Sequence, residues 1–403
     1  LLTQGEKLNL FEAKLAKFVG SKYAVAVSSA SAGLHLACIS LDVTNKDIVW
    51  TVPNTFVASA SCALHCGAKV DFVDIDENTL NISIEKLKKK LSKTSKKSRP
   101  SVVIPVHFGG QPNDQEKLHK LSKRYNFKII EDASHSLGAK RKGQKVGNCK
   151  WSDLTVFSFH PVKPITTAEG GMITTNDETI YQKLLLYRTH GIHKNPLKFK
   201  NKNLAFDENN QPNRWYYEMD VLGFNYRITD LQAALGKSQL KRINLFTKKR
   251  NQIANIYNKN FKNLKNLKIP FKSKKVLHAY HLYTILVDFK KINLSKNKFM
   301  KFLFECGGLN LTLNLIAKTE HSDAQLSDWA GVIPMRCVGA PEQDPPYIAQ
   351  TTTLYNEVND FGTAGTVRLS TSSSILDIFL GDDFVTYLMK NKSRSNCNKH
   401  NWH

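Results

Sequence analysis

The sequence predicts an α/β fold with a largely parallel sheet, followed by a smaller α+β region. Short apolar segments rich in β-branched residues recur along the first half of the chain, at residues 23–27, 48–52, 69–73, 102–106, 127–130, 154–157 and 172–175. Helical patterns separate several of them, at residues 32–41, 56–65 and 115–125. Because parallel strands need long crossover connections, this alternation favours a parallel sheet flanked by helices.

The second half of the chain begins with a long helical pattern over residues 229–264. Its apolar positions include Leu231, Leu235, Leu240 and Ile243, which repeat at a helical period. A strand over residues 281–289 and a helix over 296–304 come next, which is typical of a small α+β domain. We therefore expect a large domain over residues 1–240 and the start of a small C-terminal domain over 241–312.

Residues 313–403 form a tail of different composition. Lysine is absent from residues 319–389, although it is abundant before them, and residues 313–403 hold ten acidic against seven basic side chains. Such a shift predicts a domain boundary, a fusion or a segment of different coding origin. Because the chain begins at Leu1 rather than Met, we also expect it to start inside a gene product.

Composition excludes several classes of protein. With 403 residues, 41% hydrophobic and 10% aromatic, the chain is expected to fold into two or three domains rather than stay disordered. Because no apolar run approaches about 20 residues, no membrane span is expected. The seven cysteines are scattered and lack zinc-ligand spacing, so we expect a reduced, cytoplasmic protein with no metal site.

The net charge of +24 raises the question of a nucleic-acid partner. The basic residues are spread along predicted helices and loops, and no helix-turn-helix, zinc-finger or RNA-binding signature accompanies them. A solvated basic surface is the favoured interpretation, and no nucleic-acid partner is expected. The alternative, a nucleic-acid binder, predicts retention on DNA that falls steeply with salt.

The segment 127–135 ends an apolar strand with Asp132 and places His135 three residues later. Ligands of α/β proteins bind at the carboxyl edge of the sheet, where this aspartate is expected. A carboxylate at that edge is suited to hold a protonated pyridine nitrogen. The alternative for Asp132 is an ordinary helix cap.

The segment 158–171, SFHPVKPITTAEGG, places one lysine between two prolines. Pro161 and Pro164 stiffen the backbone around Lys163, and Gly170 and Gly171 follow in a tight turn. Schiff-base chemistry needs a lysine that is held rigidly and kept deprotonated or condensed. The alternative is a solvated lysine in a turn.

Two further segments complete the pattern. Ser31 and Ala32 follow the first predicted strand at the start of a helix, where free backbone N–H groups bind anions. Serine is also a common helix cap, so this segment alone is not specific. Asn225 lies shortly before the 229–264 helical pattern, where either a ligand contact or a local loop contact fits.

Together these segments resemble the DegT-type nucleotide-sugar aminotransferases over residues 1–304. The segment 158–171 carries most of the resemblance, and residues 2–5, 53–56, 106–111 and 281–283 match the same family. The resemblance implies an aspartate-aminotransferase-like fold (fold type I) with a mixed, mostly parallel sheet and a small domain that is incomplete here. It also implies pyridoxal 5'-phosphate as cofactor and a homodimer with shared active sites.

The implied reaction moves an amino group from L-glutamate to C4 of a UDP-linked 4-keto-6-deoxyhexose, for surface glycans or flagellin glycosylation. Lys163 would be the covalent anchor and the acid–base group, and Asp132 would keep the pyridine nitrogen protonated. The resemblance also implies that His135 contacts the ring 3-oxygen and that Phe56 stacks on the ring face. It implies that Ser31, Ala32 and Ser158 bind the phosphate. Asn225 would reach the phosphate of the neighbouring subunit's cofactor.

Departures from the family leave alternatives open. Ala30 and Ser31 stand where the family usually has Gly and Thr, and its first helix normally lies before Leu1. Nothing after residue 312 matches, although residues 328–334 faintly resemble the end of flavin-dependent oxidase barrels. A pyridoxamine-phosphate dehydratase on the same fold typically has His in place of Lys163. A catalytically impaired or regulatory homologue remains the non-enzymatic alternative, because the sugar-binding region is replaced.

Overall fold

The computed structural model describes residues 2–305 and 316–317. Its helices, in chain order, are α1 (Glu6–Val19), α2 (Ala30–Ser40), α3 (Ala58–His65), α4 (Ile84–Lys93), α5 (Gln115–Tyr125), α6 (Glu178–Arg188), α7 (Lys202–Ala205), α8 (Asp230–Leu240), α9 (Ile243–Phe261) and α10 (Lys296–Glu305). Its strands are β1 (Tyr23–Val27), β2 (Ile48–Thr51), β3 (Lys69–Phe72), β4 (Val102–Val103), β5 (Lys128–Asp132), β6 (Lys140–Arg141), β7 (Gln144–Lys145), β8 (Leu154–Ser158), β9 (Gly171–Thr175), β10 (Ile192–His193), β11 (Glu218–Met219), β12 (Leu267–Lys268), β13 (Val276–Leu277), β14 (Leu286–Val287) and β15 (Ile316–Ala317).

A seven-stranded sheet dominates the fold, in the order β1-β9-β8-β5-β4-β2-β3. Strands β3, β2, β4, β5 and β8 pair in parallel, and β9 pairs antiparallel with both β8 and β1. Only β9 therefore runs against the other six. The prediction of a mixed, mostly parallel sheet in an α/β fold is confirmed.

Alternating side chains of the strands pack into two apolar clusters, one on each face of the sheet. Ala24 and Ala26 of β1 pack in a cluster with α1, α8 and α9, whereas Val25 and Val27 pack in a cluster with α2, α3 and α6. This period of two places helices on both faces, as parallel sheets require. The predicted alternation of strands and helices reflects this arrangement.

Asp230 joins the beginning of the described chain to α8. Its carboxylate accepts hydrogen bonds from the N–H groups of Gly5 and Leu8, at 2.9 and 3.1 Å, so it caps α1 from a distant part of the sequence. Thr229 completes a capping box at the start of α8. Asp230 therefore ties the N-terminal end of α1 to the N-terminal end of α8.

The predicted helix over 229–264 is two helices. Helix α8 ends at Leu240, and α9 begins at Ile243 after a tight turn in which the Arg242 N–H donates to the Gln239 carbonyl. Leu240 and Ile243 are both buried in the same apolar cluster. The change of direction lets both helices pack on that cluster. One straight helix would extend away from it.

The predicted strand over 281–289 is also mostly wrong, because only Leu286–Val287 forms a ladder. Residues 279–282 instead bond to a glycine turn: the Ala279 N–H donates to the Gly110 carbonyl, and the Leu282 N–H to the Gly109 carbonyl. These N–H groups therefore bond to a loop and not to a neighbouring strand. The predicted helix over 296–304 is confirmed as α10.

A separate three-stranded sheet, in the order β12-β14-β15, forms beyond α9. The division into residues 1–240, 241–312 and 313–403 stays a prediction. Apart from Ile316–Ala317, the tail and its faint resemblance at 328–334 lie outside the described residues. Within the part of the chain that is described, no helix combines the length and apolar character needed to cross a bilayer.

A buried ion pair joins α1 to α6 beneath β1. Arg188 Nη1 donates to Glu12 Oε1 at 2.6 Å and to the Ala26 carbonyl at 2.8 Å. The Ala26 N–H donates to the same Glu12 oxygen at 2.8 Å. Both charged side chains are buried, so each depends on the other for compensation.

We expect Arg188→Met to lower the free energy of unfolding by about 3–5 kcal/mol, because it leaves the Glu12 charge buried without its cation. Adding Glu12→Gln should recover part of that loss, since it removes the charge and keeps an acceptor for Ala26. Lys183→Met on the same helix is the control: its ion pair with Asp42 is solvent-exposed, so at most about 1 kcal/mol should be lost. Urea unfolding measures all variants, and equal losses for Arg188 and Lys183 would contradict the assignment.

Candidate active site

Asp132 ends β5 at the carboxyl edge of the sheet and is 4% exposed. Ser59 Oγ, from α3, donates to its Oδ2 at 2.6 Å, and the Ser134 N–H donates to its Oδ1 at 3.0 Å. Each oxygen thus has one donor, so the carboxylate is fixed in orientation and stabilised as an anion. Sequence reasoning identified Asp132 and missed Ser59, whose only signal is the run of small residues in α3.

Lys163 lies in the turn after β8, where its N–H donates to the His160 carbonyl at 2.9 Å. Burial lowers the pKa of its amine to about 8, and the attraction of Asp132 opposes that shift. The following residue, Pro164, accepts a hydrogen bond from Arg250 Nη1 at 3.5 Å. The structure thus places Lys163 near Asp132, in an environment where the neutral amine is accessible near neutral pH.

Two histidines share this electrostatic environment. The rings of His135 and His281 lie 4.4 Å apart, between centroids. Burial, followed by the positive charge of Lys163, holds the pKa of His135 well below its usual range. Burial and the neighbouring His135 and Lys163 do the same for His281. The site therefore combines one lysine with two neutral imidazoles.

His281 is a site residue that sequence reasoning did not select, although it begins the family-like segment 281–283. Gly110 explains how the two histidines meet. It has φ +103°, and a Cβ there would lie 2.8 Å from the His135 carbonyl oxygen and 3.0 Å from the Tyr280 nitrogen. Only a glycine allows the segment after β4 to press the two histidine-bearing loops together.

A pocket of about 210 Å³ opens at the N-terminus of α2. It is lined by hydroxyls, imidazoles and small side chains: Ser28, Ser29, Ser31, Ala32, His35, Ser61, Cys62, His65 and Tyr226. Ser29 caps the helix by accepting from the Ala32 N–H at 3.1 Å. Gly171 allows β9 to pass close by, since a Cβ there would lie 2.8 Å from the Ala30 nitrogen. Such a helix N-terminus suits a phosphate.

Helix α3 connects the pocket to the carboxylate. Ser59 contacts Asp132, while Ser61, Cys62 and His65 from the same helix line the pocket. One short helix therefore both lines the pocket and fixes the carboxylate of Asp132. This bridging role of α3 was not predicted from the sequence.

Only Ser31 and Ala32 of the predicted site residues line this pocket; the others do not, namely Phe56, Asp132, His135, Ser158, Lys163 and Asn225. Ser158 is buried at the end of β8, and Phe56 is 62% exposed just before α3. Asn225 is exposed and forms an antiparallel bridge with Thr189. Of the predicted phosphate ligands, the structure brings Ser31 and Ala32 to the pocket, while Ser158 and Asn225 do not line it.

Behind the sheet, Glu131 supports the same strand from the opposite face. Its carboxylate is buried and accepts from Gln115 Nε2 at 2.6 Å and Thr155 Oγ1 at 2.9 Å, with His107 Nε2 at 3.6 Å. The His107 N–H donates to the Asp132 carbonyl at 3.0 Å. This network anchors the end of β5, and the sequence alone gave no sign of it.

These groups fit pyridoxal phosphate by their own chemistry. The pocket supplies a helix N-terminus and hydroxyls for a phosphate, Asp132 supplies an anion for a protonated ring nitrogen, and Lys163 supplies an amine. His135 Nδ1 is buried and, among the described residues, has no hydrogen-bond partner. Such an unpartnered atom is costly unless a ligand oxygen satisfies it.

The sequence pattern of the DegT/DnrJ/EryC1/StrS aminotransferase family matches residues 1–313. The chain belongs to this family. One relative is the UDP-4-amino-4,6-dideoxy-N-acetyl-beta-L-altrosamine transaminase of Campylobacter jejuni subsp. jejuni, 41% identical over 312 residues, which are 76% of this chain and 75% of the relative. The resemblance to the DegT-type nucleotide-sugar aminotransferases is confirmed.

Solved structures agree with this family assignment. Helicobacter pylori PseC, an aminotransferase involved in the biosynthesis of pseudoaminic acid, superposes with TM-score 0.66 at 30% identity, over 76% of each chain. The PLP form of the sugar aminotransferase Spr1654 from Streptococcus pneumoniae superposes with TM-score 0.64 at 26% identity, also over 76% of each chain. The predicted fold type I, the enzyme class and the cofactor are confirmed: this is a pyridoxal-phosphate-dependent sugar aminotransferase.

We expect Ser59→Ala to raise the dissociation constant for pyridoxal phosphate about ten- to a hundredfold, because the buried Asp132 anion loses a hydrogen bond of the charge-assisted kind. Equilibrium titration followed by absorbance measures the constant. Ser40→Ala is the control, since its buried hydroxyl donates to the Ala37 carbonyl of its own helix, away from Asp132. If Ser59→Ala binds as tightly as Ser40→Ala, Ser59 does not support the carboxylate.

Proposed function

We propose that this chain transfers an amino group from L-glutamate to C4 of a UDP-linked 4-keto-6-deoxyhexose. The observation that carries the proposal is a lysine with a lowered pKa beside a fixed carboxylate, in a chain 41% identical to a transaminase of a UDP-linked amino sugar. The similarity to an aminotransferase involved in the biosynthesis of pseudoaminic acid supports the same substrate class. The proposed role is nucleotide-sugar synthesis for surface glycans or flagellin glycosylation.

In this proposal Asp132, His135 and Lys163 hold the ring of the cofactor. Asp132, fixed by Ser59 and by the Ser134 N–H, keeps a proton on the ring nitrogen. When bound, pyridoxal phosphate supplies an electron sink for the electrons released as a C–H bond of the substrate breaks. His135 Nδ1 is the buried atom suited to contact the ring 3-oxygen.

Lys163 moves the proton. As the neutral amine it accepts the proton from Cα of glutamate, and as the ammonium it returns that proton on the cofactor side. A pKa of about 8 lets it do both near neutral pH. The sugar half of the reaction uses the same lysine in the reverse order, which leaves an amine at C4.

Because the two histidines are neutral, they allow Lys163 to carry the proton. If either were charged, its repulsion would lower the pKa of Lys163 further and would compete for the Asp132 anion. Burial keeps both imidazoles neutral. Lys163, whose pKa is lowered to about 8, is therefore the proton carrier in this proposal.

Ser31, the Ala32 backbone and Ser158 are proposed as phosphate ligands, with Phe56 against the ring face. Two of these, Ser31 and Ala32, line the pocket at the start of α2. The net charge of +24 favours the diphosphate of a nucleotide-linked sugar, although it does not select the nucleotide. The lysine at position 163 argues against a dehydratase, whose family members typically have histidine there.

A homodimer with shared sites is part of the proposal. Phe56 and Val57, just before α3, are 62% and 65% exposed, and Leu231 on α8 is 66% exposed. Exposed large apolar side chains of this kind favour coverage by a second copy. Asn225, exposed on its own chain, is proposed to reach the cofactor phosphate of the neighbouring subunit.

The first test is the visible absorbance of the protein loaded with pyridoxal phosphate, before and after L-glutamate. We expect the visible absorption band of the bound cofactor to decrease when L-glutamate is added. The band should return when a UDP-linked 4-keto-6-deoxyhexose is added. Covalent capture of the cofactor, trapped by borohydride and located by peptide mapping, should speed up about tenfold per pH unit below pH 8 and level off above it, because only the neutral Lys163 amine reacts.

Lys163→Arg should abolish both capture and the glutamate response, while Lys150→Arg, which removes a lysine near the surface, should change neither. Capture at an unchanged stoichiometry in Lys163→Arg would show that another lysine is the anchor. A band that forms but ignores glutamate would support the impaired homologue instead. A response to a GDP-linked sugar but not to a UDP-linked sugar would support the amino transfer and show that the proposed nucleotide is wrong.

Mixed dimers test the role of Asn225. Lys163→Ala and Asn225→Ala homodimers should each be inactive, whereas heterodimers of the two variants should regain one working site per dimer. That site would combine the lysine of one chain with the asparagine of the other. Activity is measured on tagged, co-expressed heterodimers. If it stays at the level of the homodimers, Asn225 does not contribute to the partner's site.

A further inference from the structure

Thr55 lies in the segment that leads from β2 into α3, four residues before Ser59. Its Oγ1 is 2.7 Å from Ser59 Oγ, and Ser59 Oγ donates to Asp132 Oδ2 at 2.6 Å. Two hydroxyls therefore form a chain that ends on the carboxylate. Because Ser59 is buried, hydrogen bonds in this chain are electrostatically stronger than they would be in water.

The direction of the protons in this chain follows from the number of donors. A hydroxyl has one proton to donate, and an ionised carboxylate has none. Because Ser59 directs its proton to Asp132, the contact between the two hydroxyls requires Thr55 to donate and Ser59 to accept. Hydrogen bonds in a chain polarise one another, so the bond from Thr55 strengthens the bond that Ser59 donates.

A threonine just ahead of a helix often caps it, but Thr55 is not in that position. The N-cap position of α3 is Val57, whose side chain cannot accept a hydrogen bond. The residue before Thr55 is Asn54, which is buried and donates from Nδ2 to the Leu80 carbonyl at 2.8 Å. This contact fixes the backbone next to Thr55 while its hydroxyl contacts Ser59.

We propose that Thr55 is a positioning residue for the cofactor, acting through Ser59 to keep Asp132 an anion at the ring nitrogen of pyridoxal phosphate. Protonation of Asp132 at Oδ2 would require both hydroxyls to reverse, because the carboxyl group would then donate to Ser59. The other oxygen, Oδ1, accepts from the Ser134 N–H at 3.0 Å, and a backbone N–H cannot reverse. The surroundings thus disfavour the neutral acid at both oxygens.

This inference rests on the proposed contact between Asp132 and the ring nitrogen, and it does not depend on the sugar substrate. The test therefore compares how tightly the cofactor-free protein binds two ligands, measured by titration calorimetry. One is pyridoxal phosphate. The other is its deaza analogue, in which a C–H group replaces the ring nitrogen and gives Asp132 nothing to contact.

We expect Thr55→Val, which keeps the shape of the side chain, to weaken binding of pyridoxal phosphate about three- to tenfold, because one hydrogen bond of the chain is lost. Binding of the deaza analogue should change little, because it does not use the Asp132 anion. A merely structural role of Thr55 would weaken the binding of both ligands equally.

Two further variants at single positions sharpen this comparison. Thr55→Ser keeps the hydroxyl and should restore most of the affinity for pyridoxal phosphate. Thr51→Val is the matched control, since the buried Thr51 Oγ1 donates to the Ile104 carbonyl at 2.9 Å. It also loses a threonine hydroxyl, but it should leave the preference for pyridoxal phosphate over the analogue unchanged.

A double variant tests whether Thr55 acts through Ser59. Thr55→Val added to Ser59→Ala should weaken binding of pyridoxal phosphate no further than Ser59→Ala alone, because the chain is already broken. Losses that add would overturn the proposal. If urea unfolding shows that Thr55→Val does not fold, Thr55→Ala undergoes the same comparison.

The outcomes separate this inference from the contact on which it rests. Wild-type protein that binds both ligands equally would contradict the contact between Asp132 and the ring nitrogen, and this proposal with it. A wild-type preference for pyridoxal phosphate that Thr55→Val leaves unchanged would overturn the role of Thr55 alone.

Discussion

The buried charge of Asp132 is the interaction around which the site is arranged. It requires a donor for each carboxylate oxygen, which Ser59 and the Ser134 N–H supply. It requires a strand end that does not move, which the His107 backbone and the Glu131 network behind the sheet supply. Its attraction also opposes the effect of burial on Lys163, whose pKa is lowered to about 8.

Burial of the neighbouring bases follows from the same requirement. A positively charged histidine near Asp132 would compete with Lys163, and the packing of the loops around Gly109 and Gly110 prevents that by removing water from both imidazoles. In the proposed mechanism, desolvation of the two histidines leaves Lys163 as the proton carrier. The cost is an unpartnered nitrogen on His135, which a bound ligand can satisfy.

The sequence could predict those parts of the site that depend on short segments. Asp132 at a strand end, Lys163 between two prolines and Ser31 at a helix start are each visible within a few residues. The parts that depend on distant segments were hidden. Ser59 is one serine among several until α3 places it beside Asp132, and His281 acquires its neighbour only when the glycine turn brings two loops together.

The fold shows the same division. Strand positions were predictable because each is a short apolar run, and the family-like segments indicated the fold type. The break between α8 and α9 was not predictable, because the helical period continues through it and only the shared core of Leu240 and Ile243 requires the bend. The loop before β14 was mistaken for a strand because its apolar residues pack against a turn, not against a neighbouring strand.

The reversed strand β9 has a consequence for the order of assembly. It joins Val27, just before the pocket, to Gly171, beyond the lysine, so the first strand of the chain has its sheet partner far downstream. During synthesis, β1 and the helix that starts the phosphate pocket must wait, with an open edge, until the ribosome has delivered β9. Such a late, non-local closure is slow and leaves an unpaired edge exposed. Until β9 is made, the nascent chain therefore exposes an unpaired strand beside the pocket at the start of α2.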